Sequence, residues 1–201
     1  MADVDATPLP QVWLVRHGET AWTLTGQHTG RTDIPLTPRG EAEARRLGVL
    51  LRGMRFGDVF TSPLNRSRRT SELAGFDARH DPDLMEWDYG VYEGRRSSEI
   101  RTERPQWQLF EDGCPGGETV SAIAARADAV IDRVRQCAGN VLLFAHRDIL
   151  RILSVRWLGL AAREGRRLYL QTGSVSALGY DHDLSQPVIR SWNNVPGERD
   201  G

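Results

Sequence analysis

The 201-residue chain has no lysine: all 26 of its Lys and Arg residues are arginines. That absence excludes a Walker-type phosphate loop and Schiff-base catalysis, both of which need a lysine amine, and leaves anion recognition to the planar guanidinium. Cysteine is nearly missing too. Cys114 and Cys137 are too few and too isolated for a disulfide framework or a zinc site, and a reducing cytosol is the simplest setting. Long apolar runs are also absent; the most apolar stretch, residues 141–145, is far too short to span a bilayer. Residues 1–11 show neither a basic segment nor an apolar one, which predicts a cytoplasmic protein without export signal or membrane anchor. Excess charge of one sign is missing as well: 26 basic residues face 27 acidic ones, for a net charge of -1. Nothing therefore draws the whole chain to nucleic acid or an anionic membrane. Any recognition of a charged partner must be local, and self-association into a homo-oligomer stays open.

With 39% hydrophobic residues the chain supports one sizeable core, so residues 1–201 are expected to form a single domain, with a flexible leader over 1–10 and a polar tail over 193–201. Residues 11–16, 58–61, 141–145, 175–180 and 188–192 read as strands. Helices are predicted from Thr37-Pro38 to about Arg52, after Ser62-Pro63, over 118–137 and over 149–158, the first two through a capping hydroxyl followed by proline. Residues 97–117, with Pro105, Pro115 and several glycines, read as an irregular insertion over the sheet edge. Strand and helix alternate, so the predicted fold class is α/β: one three-layer αβα domain with a mostly parallel central sheet, whose ligand sits at the carboxyl ends of the strands.

Three segments place phosphate-reactive side chains just after a predicted strand. Arg16-His17-Gly18-Glu19-Thr20 follows the first, Ser62-Pro63-Leu64-Asn65-Arg66 the second, and Ala145-His146 ends the third. Together with Glu86-Trp87-Asp88-Tyr89-Gly90, Gly26-Gln27-His28-Thr29-Gly30 and the segment 112–118, these resemble the histidine phosphatase superfamily, the phosphoglycerate-mutase-like proteins, and most of all its small phosphatase branch. The resemblance implies a phosphoglycerate-mutase-like fold and a phosphatase that needs no metal or cofactor and whose partner is a small phosphorylated substrate, a sugar mono- or bisphosphate. In it His17 is the nucleophile that carries a phosphohistidine, and Arg16, Arg66 and His146 hold the phosphoryl oxygens. Glu86 is the proton donor and Thr23 a further hydrogen-bond donor, while Gln27, His28, Thr29 and Gly30 form the substrate rim, to which Arg147, directly after His146, is added from its position in this sequence. A neutral imidazole suits attack, since free histidine has a pKa of about 6.5, and clustered donors replace a metal where charge spreads over the transferred group.

Two alternatives stand beside this reading: a phosphoglycerate mutase, which shares the pocket, and a silent phosphate-binding module. Relatives commonly carry glycine after the second histidine, whereas here Arg147-Asp148 follows His146. That places a cation at the expected pocket rim. His80 and His182 read as surface residues, Arg68 and Arg69 as solvent-facing or paired, and the tryptophans as packing groups.

Overall fold

The computed structural model describes residues 9–197; the leader segment 1–8 and the tail segment 198–201 lie outside the described residues. Six strands form one sheet: β1 (Val12–Arg16), β2 (Asp58–Thr61), β3 (Arg79–His80), β4 (Val141–Ala145), β5 (Val175–Tyr180) and β6 (Pro187–Asn194), in the order β3-β2-β4-β1-β5-β6. The first four run parallel, and β5 lies antiparallel to both β1 and β6. The helices are α1 (Ala21–Thr25), α2 (Pro38–Leu50), α3 (Asn65–Leu73), α4 (Ser97–Glu103), α5 (Leu109–Asp112), α6 (Val120–Arg135) and α7 (Arg147–Trp157).

Alternation along the central strands explains the three layers. In β4, Val141, Leu143 and Ala145 join one apolar cluster with residues of α6 and α7, while Leu142 and Phe144 join a second with Leu47 and Leu51. Side chains of a strand alternate between faces, so a strand apolar at every position must be covered on both. The chain leaves β1 for the α2 face and leaves β4 for the α7 face, and each then passes beyond the other strand. The carboxyl ends of β1 and β4 thus flank a topological switch point, where open α/β sheets bind ligands.

Several expectations need correction. Strand β6 reaches Asn194 through an irregularity in its pairing with β5, and Asn193, at φ 58°, accepts a bond from the Gln171 amide; residues 193–194 therefore belong to the sheet, not the tail. Leu9 packs on the core, so the leader does not extend to residue 10. Thr37 caps α2 and Pro38 opens it as predicted, and of the two leucines at its end Leu51 is the buried one. Ser62 does not cap α3. That helix starts at Asn65, whose N–H is taken by the Asp33 carboxylate at 2.9 Å. Helix α7 starts at Arg147, two residues early. The segment 97–117 is no loose insertion: Ile100, Trp107, Phe110 and Cys114 are buried in the larger cluster. No helix among the described residues is long and apolar enough to cross a membrane.

Candidate active site

Strand pairing brings the two histidines together. Arg16 pairs with Ala145, so His17 and His146 leave neighbouring strand ends, with ring centroids 5.1 Å apart. The His17 Nδ1 lies 2.7 Å from the Gly18 carbonyl. A carbonyl only accepts, so Nδ1 carries the proton and Nε2 keeps a free lone pair. Burial, Arg66 and Arg16 push the His17 pKa well below 6.5, against the Gly18 bond, and so hold the ring neutral.

His146 is set in the other tautomer. Arg66 Nε donates to its Nδ1 at 3.1 Å, so its Nε2 is protonated and donates to Ser62 Oγ at 2.8 Å. Its pKa also falls well below 6.5, through burial, Arg66 and His17. Arg66 is fully buried and donates as well to the carbonyls of Thr32 (2.9 Å), Thr29 (3.0 Å) and Gly30 (2.8 Å). Neither Arg66 nor His146 is among the residues lining the cavity beside His17; Arg66 ties the 29–32 loop to His146.

Arg16, His17 and Glu86 do line one cavity of about 110 Å³, with Thr23, Gln27, His28, Thr29 and Arg147. Arg16 Nη1 donates to the Leu170 carbonyl at 2.6 Å, while its buried Nε has no partner among the described residues. An unmet buried donor is costly, and a bound anion relieves it. Burial and the Arg147 cation lower the Arg16 pKa to about 10, so it stays charged at neutral pH. A larger cavity, about 340 Å³, opens at the far end of β1 and β4 beside Val12, Cys137 and Trp157, away from every one of these groups.

The Glu86 carboxylate lies across the start of α7, accepting from the N–H groups of Asp148 (3.0 Å), Ile149 (3.0 Å) and Trp87 (3.0 Å). Burial and the Asp148 charge raise its pKa despite these bonds. Glu93, the neighbouring acid, instead accepts from Gly30 and Thr32 N–H and is a loop tie.

Residues 12–195 match the histidine phosphatase superfamily (branch 1). The chain belongs to that superfamily. It is 37% identical over 188 residues to an acid phosphatase of Mycobacterium tuberculosis, covering 91% of this chain and 93% of that one. It is 35% identical over 190 residues to the sedoheptulose 1,7-bisphosphatase of Saccharomyces cerevisiae, covering 77% and 70%. A solved structure of an open reading frame product from Mycobacterium tuberculosis superposes with a TM-score of 0.89 at 33% identity, covering 93% of this chain and 98% of that one.

The rim of this histidine phosphatase differs in detail from expectation. Thr23 lines the cavity, but its hydroxyl proton goes to the Thr20 carbonyl at 2.8 Å and its oxygen accepts from Thr20 N–H, closing a capping box for α1. Gly30 faces inward: its carbonyl holds Arg66, and a Cβ there would meet the Trp87 carbonyl at 2.4 Å. Gln27 donates to the Gly94 carbonyl, and His28 Nε2 lies 3.2 Å from Ser97 Oγ. Gly26, Trp22, Tyr89, Ser97 and Asp148 complete the wall, and none of them was named as a site residue from the sequence. Asp148 is buried, and Arg151 (2.6 Å), Arg147 (3.8 Å) and the Tyr89 hydroxyl (2.7 Å) outweigh its burial and keep its pKa low.

Gly18 holds the nucleophile from behind. A Cβ there would come within 2.3 Å of the Gly40 carbonyl, and its N–H donates to Thr70 Oγ1 at 3.2 Å. Gly18→Ala is expected to lower stability by about 1–3 kcal/mol through overpacking. Because the shift also moves the Nδ1 acceptor of His17, phosphate release should fall more than the folded fraction does. Urea titration run beside an activity assay on the same preparation measures both; equal losses would leave Gly18 a packing residue alone.

Proposed function

We propose that this superfamily member is a metal-independent phosphatase of small phosphomonoesters that works through a phosphohistidine at His17. One observation carries the reading: a neutral His17 with its Nε2 lone pair free stands in one cavity with Arg16, whose buried Nε has no partner among the described residues, and a carboxyl of raised pKa. The acid phosphatase and bisphosphatase names of the relatives support it. Nε2 attacks phosphorus as the bond to the leaving oxygen breaks, and Glu86 gives that oxygen its proton. The cation left on the ring is shared with the Gly18 carbonyl through Nδ1–H. Glu86, now a carboxylate, takes a proton from water; the water oxygen bonds to phosphorus, the N–P bond breaks, and orthophosphate leaves with His17 restored. Arg16 neutralises the non-bridging oxygens by contact, and Arg66 adds its charge from one layer behind.

A screen of phosphorylated metabolites scored by phosphate release tests this. Activity is expected to persist in EDTA and to be inhibited by vanadate, whose trigonal-bipyramidal form mimics phosphoryl transfer. Loss on chelation, restored by a divalent cation, would contradict the proposal. Phosphate exchange between positions of phosphoglycerate outrunning its release would favour a mutase instead.

A further inference from the structure

A second cavity, of about 170 Å³, opens directly off the first: His28, Ser97, Arg147 and Asp148 belong to the walls of both. Beyond this shared wall it is lined by Arg101, Arg151 and Arg166, with Trp107, Gln108 and Phe110. Four arginines thus face it against one carboxylate, Asp148.

The charge balance there is not closed. Asp148 is committed to Arg151, 2.6 Å away and buried with it, while Arg147 reaches only 3.8 Å from the same carboxylate and stays about half exposed. Arg166 is neutralised by Glu111 at 2.5 Å. Arg101 donates only to the Trp107 carbonyl, at 3.3 Å, and has no carboxylate partner among the described residues. Arg101 and Arg147 are therefore two cations beside one small cavity without a matched anion, on the path out of the reaction centre. The wall between the cavities carries Ser97 Oγ and the His28 ring, groups that hydrogen-bond a hydroxyl rather than an alkyl chain.

Resting on the phosphatase reading, we infer that this annex holds a second anionic group of the substrate, so that the enzyme selects short hydroxylated phosphomonoesters carrying another phosphate or a carboxylate at the far end. Arginine is suited to both, through charge-assisted, bidentate contacts.

Matched pairs test it: fructose 1,6-bisphosphate against fructose 6-phosphate for a second phosphate, and 3-phosphoglycerate against glycerol 3-phosphate for a carboxylate. Each is assayed for phosphate release and, by calorimetry, for binding, in the parent, Arg101→Gln and Arg147→Gln. The parent is expected to favour the doubly charged member of at least one pair by tenfold or more in kcat/KM. Each variant should cut that ratio by about tenfold, and the pair that responds says whether the annex takes phosphate or carboxylate. A ratio untouched by both substitutions overturns the annex, as does a parent without preference. If no phosphate is released from any substrate, the phosphatase reading falls. The annex then stands if the bisphosphate or phosphoglycerate binds tenfold tighter than its partner and Arg101→Gln removes the difference, and it falls otherwise.

Discussion

His17→Ala is expected to reduce phosphate release by roughly 10⁴-fold or more while the protein still folds. The ring stands at the end of β1 and not within either apolar cluster, and its contacts are the Gly18 carbonyl and the edge of His146. Rapid quench with a labelled substrate should trap an acid-labile, base-stable phosphoenzyme in the parent and none in the variant. Persistent turnover, or label on another residue, would remove the nucleophile from the proposal.

Glu86→Gln should separate the two halves of the reaction. With an alkyl phosphate, whose leaving oxygen needs a proton, kcat/KM should fall by about 10²–10⁴. With p-nitrophenyl phosphate the leaving group departs as a stable anion, so kcat/KM should fall by less than about tenfold. Water activation is still lost in the variant, so p-nitrophenolate should appear as a burst near one equivalent and then slowly. The pH profile has a defined sign. His17 must be neutral, which fails only as pH falls through a pKa well below 6.5, and Glu86 must be protonated, which fails as pH rises through a value above its ordinary 4.5. The acidic limb belongs to His17 and the alkaline limb to Glu86, and Glu86→Gln should flatten the alkaline one. An unchanged alkaline limb, or equal losses on both substrates, would assign the proton to another group.

Legibility in the sequence followed locality. The strands 58–61, 141–145 and 175–180 were read with their observed bounds, because β-branched and apolar runs between turn residues report on themselves. His17 and His146 were readable for the same reason, each being the residue after a strand end. What failed was set by partners far along the chain. Ser62-Pro63 has the local form of a helix start, yet the Ser62 hydroxyl is engaged by His146 and by the Leu64 N–H, and α3 takes its cap from Asp33. Arg66 stands beside His146 but does not line the cavity, and its guanidinium is engaged by three carbonyls of the 29–32 segment that no local pattern announces. Arg147 was read from the sequence as a rim cation, but the partners of the neighbouring Asp148 were not. Only the tertiary structure supplies Arg151 and Tyr89 as the real partners of Asp148, leaving Arg147 to the cavities.

The placement of Glu86 across the first turn of α7 bears on how readily it parts with a proton. The N–H groups of Trp87, Asp148 and Ile149 point at its oxygens before any reaction occurs. A hydrogen bond to an ionised acceptor is stronger than one to a neutral acceptor by about 1 kcal/mol. As the proton moves to the leaving oxygen, all three bonds therefore strengthen together, along with the attraction of the negative oxygens to the positive end of the helix. That gain grows in step with proton transfer and offsets the burial and the Asp148 repulsion that hold the proton on at rest. When water later returns a proton the same bonds relax, so the helix start acts as a reversible reservoir for one negative charge, and the acid recovers its resting form without any change of backbone.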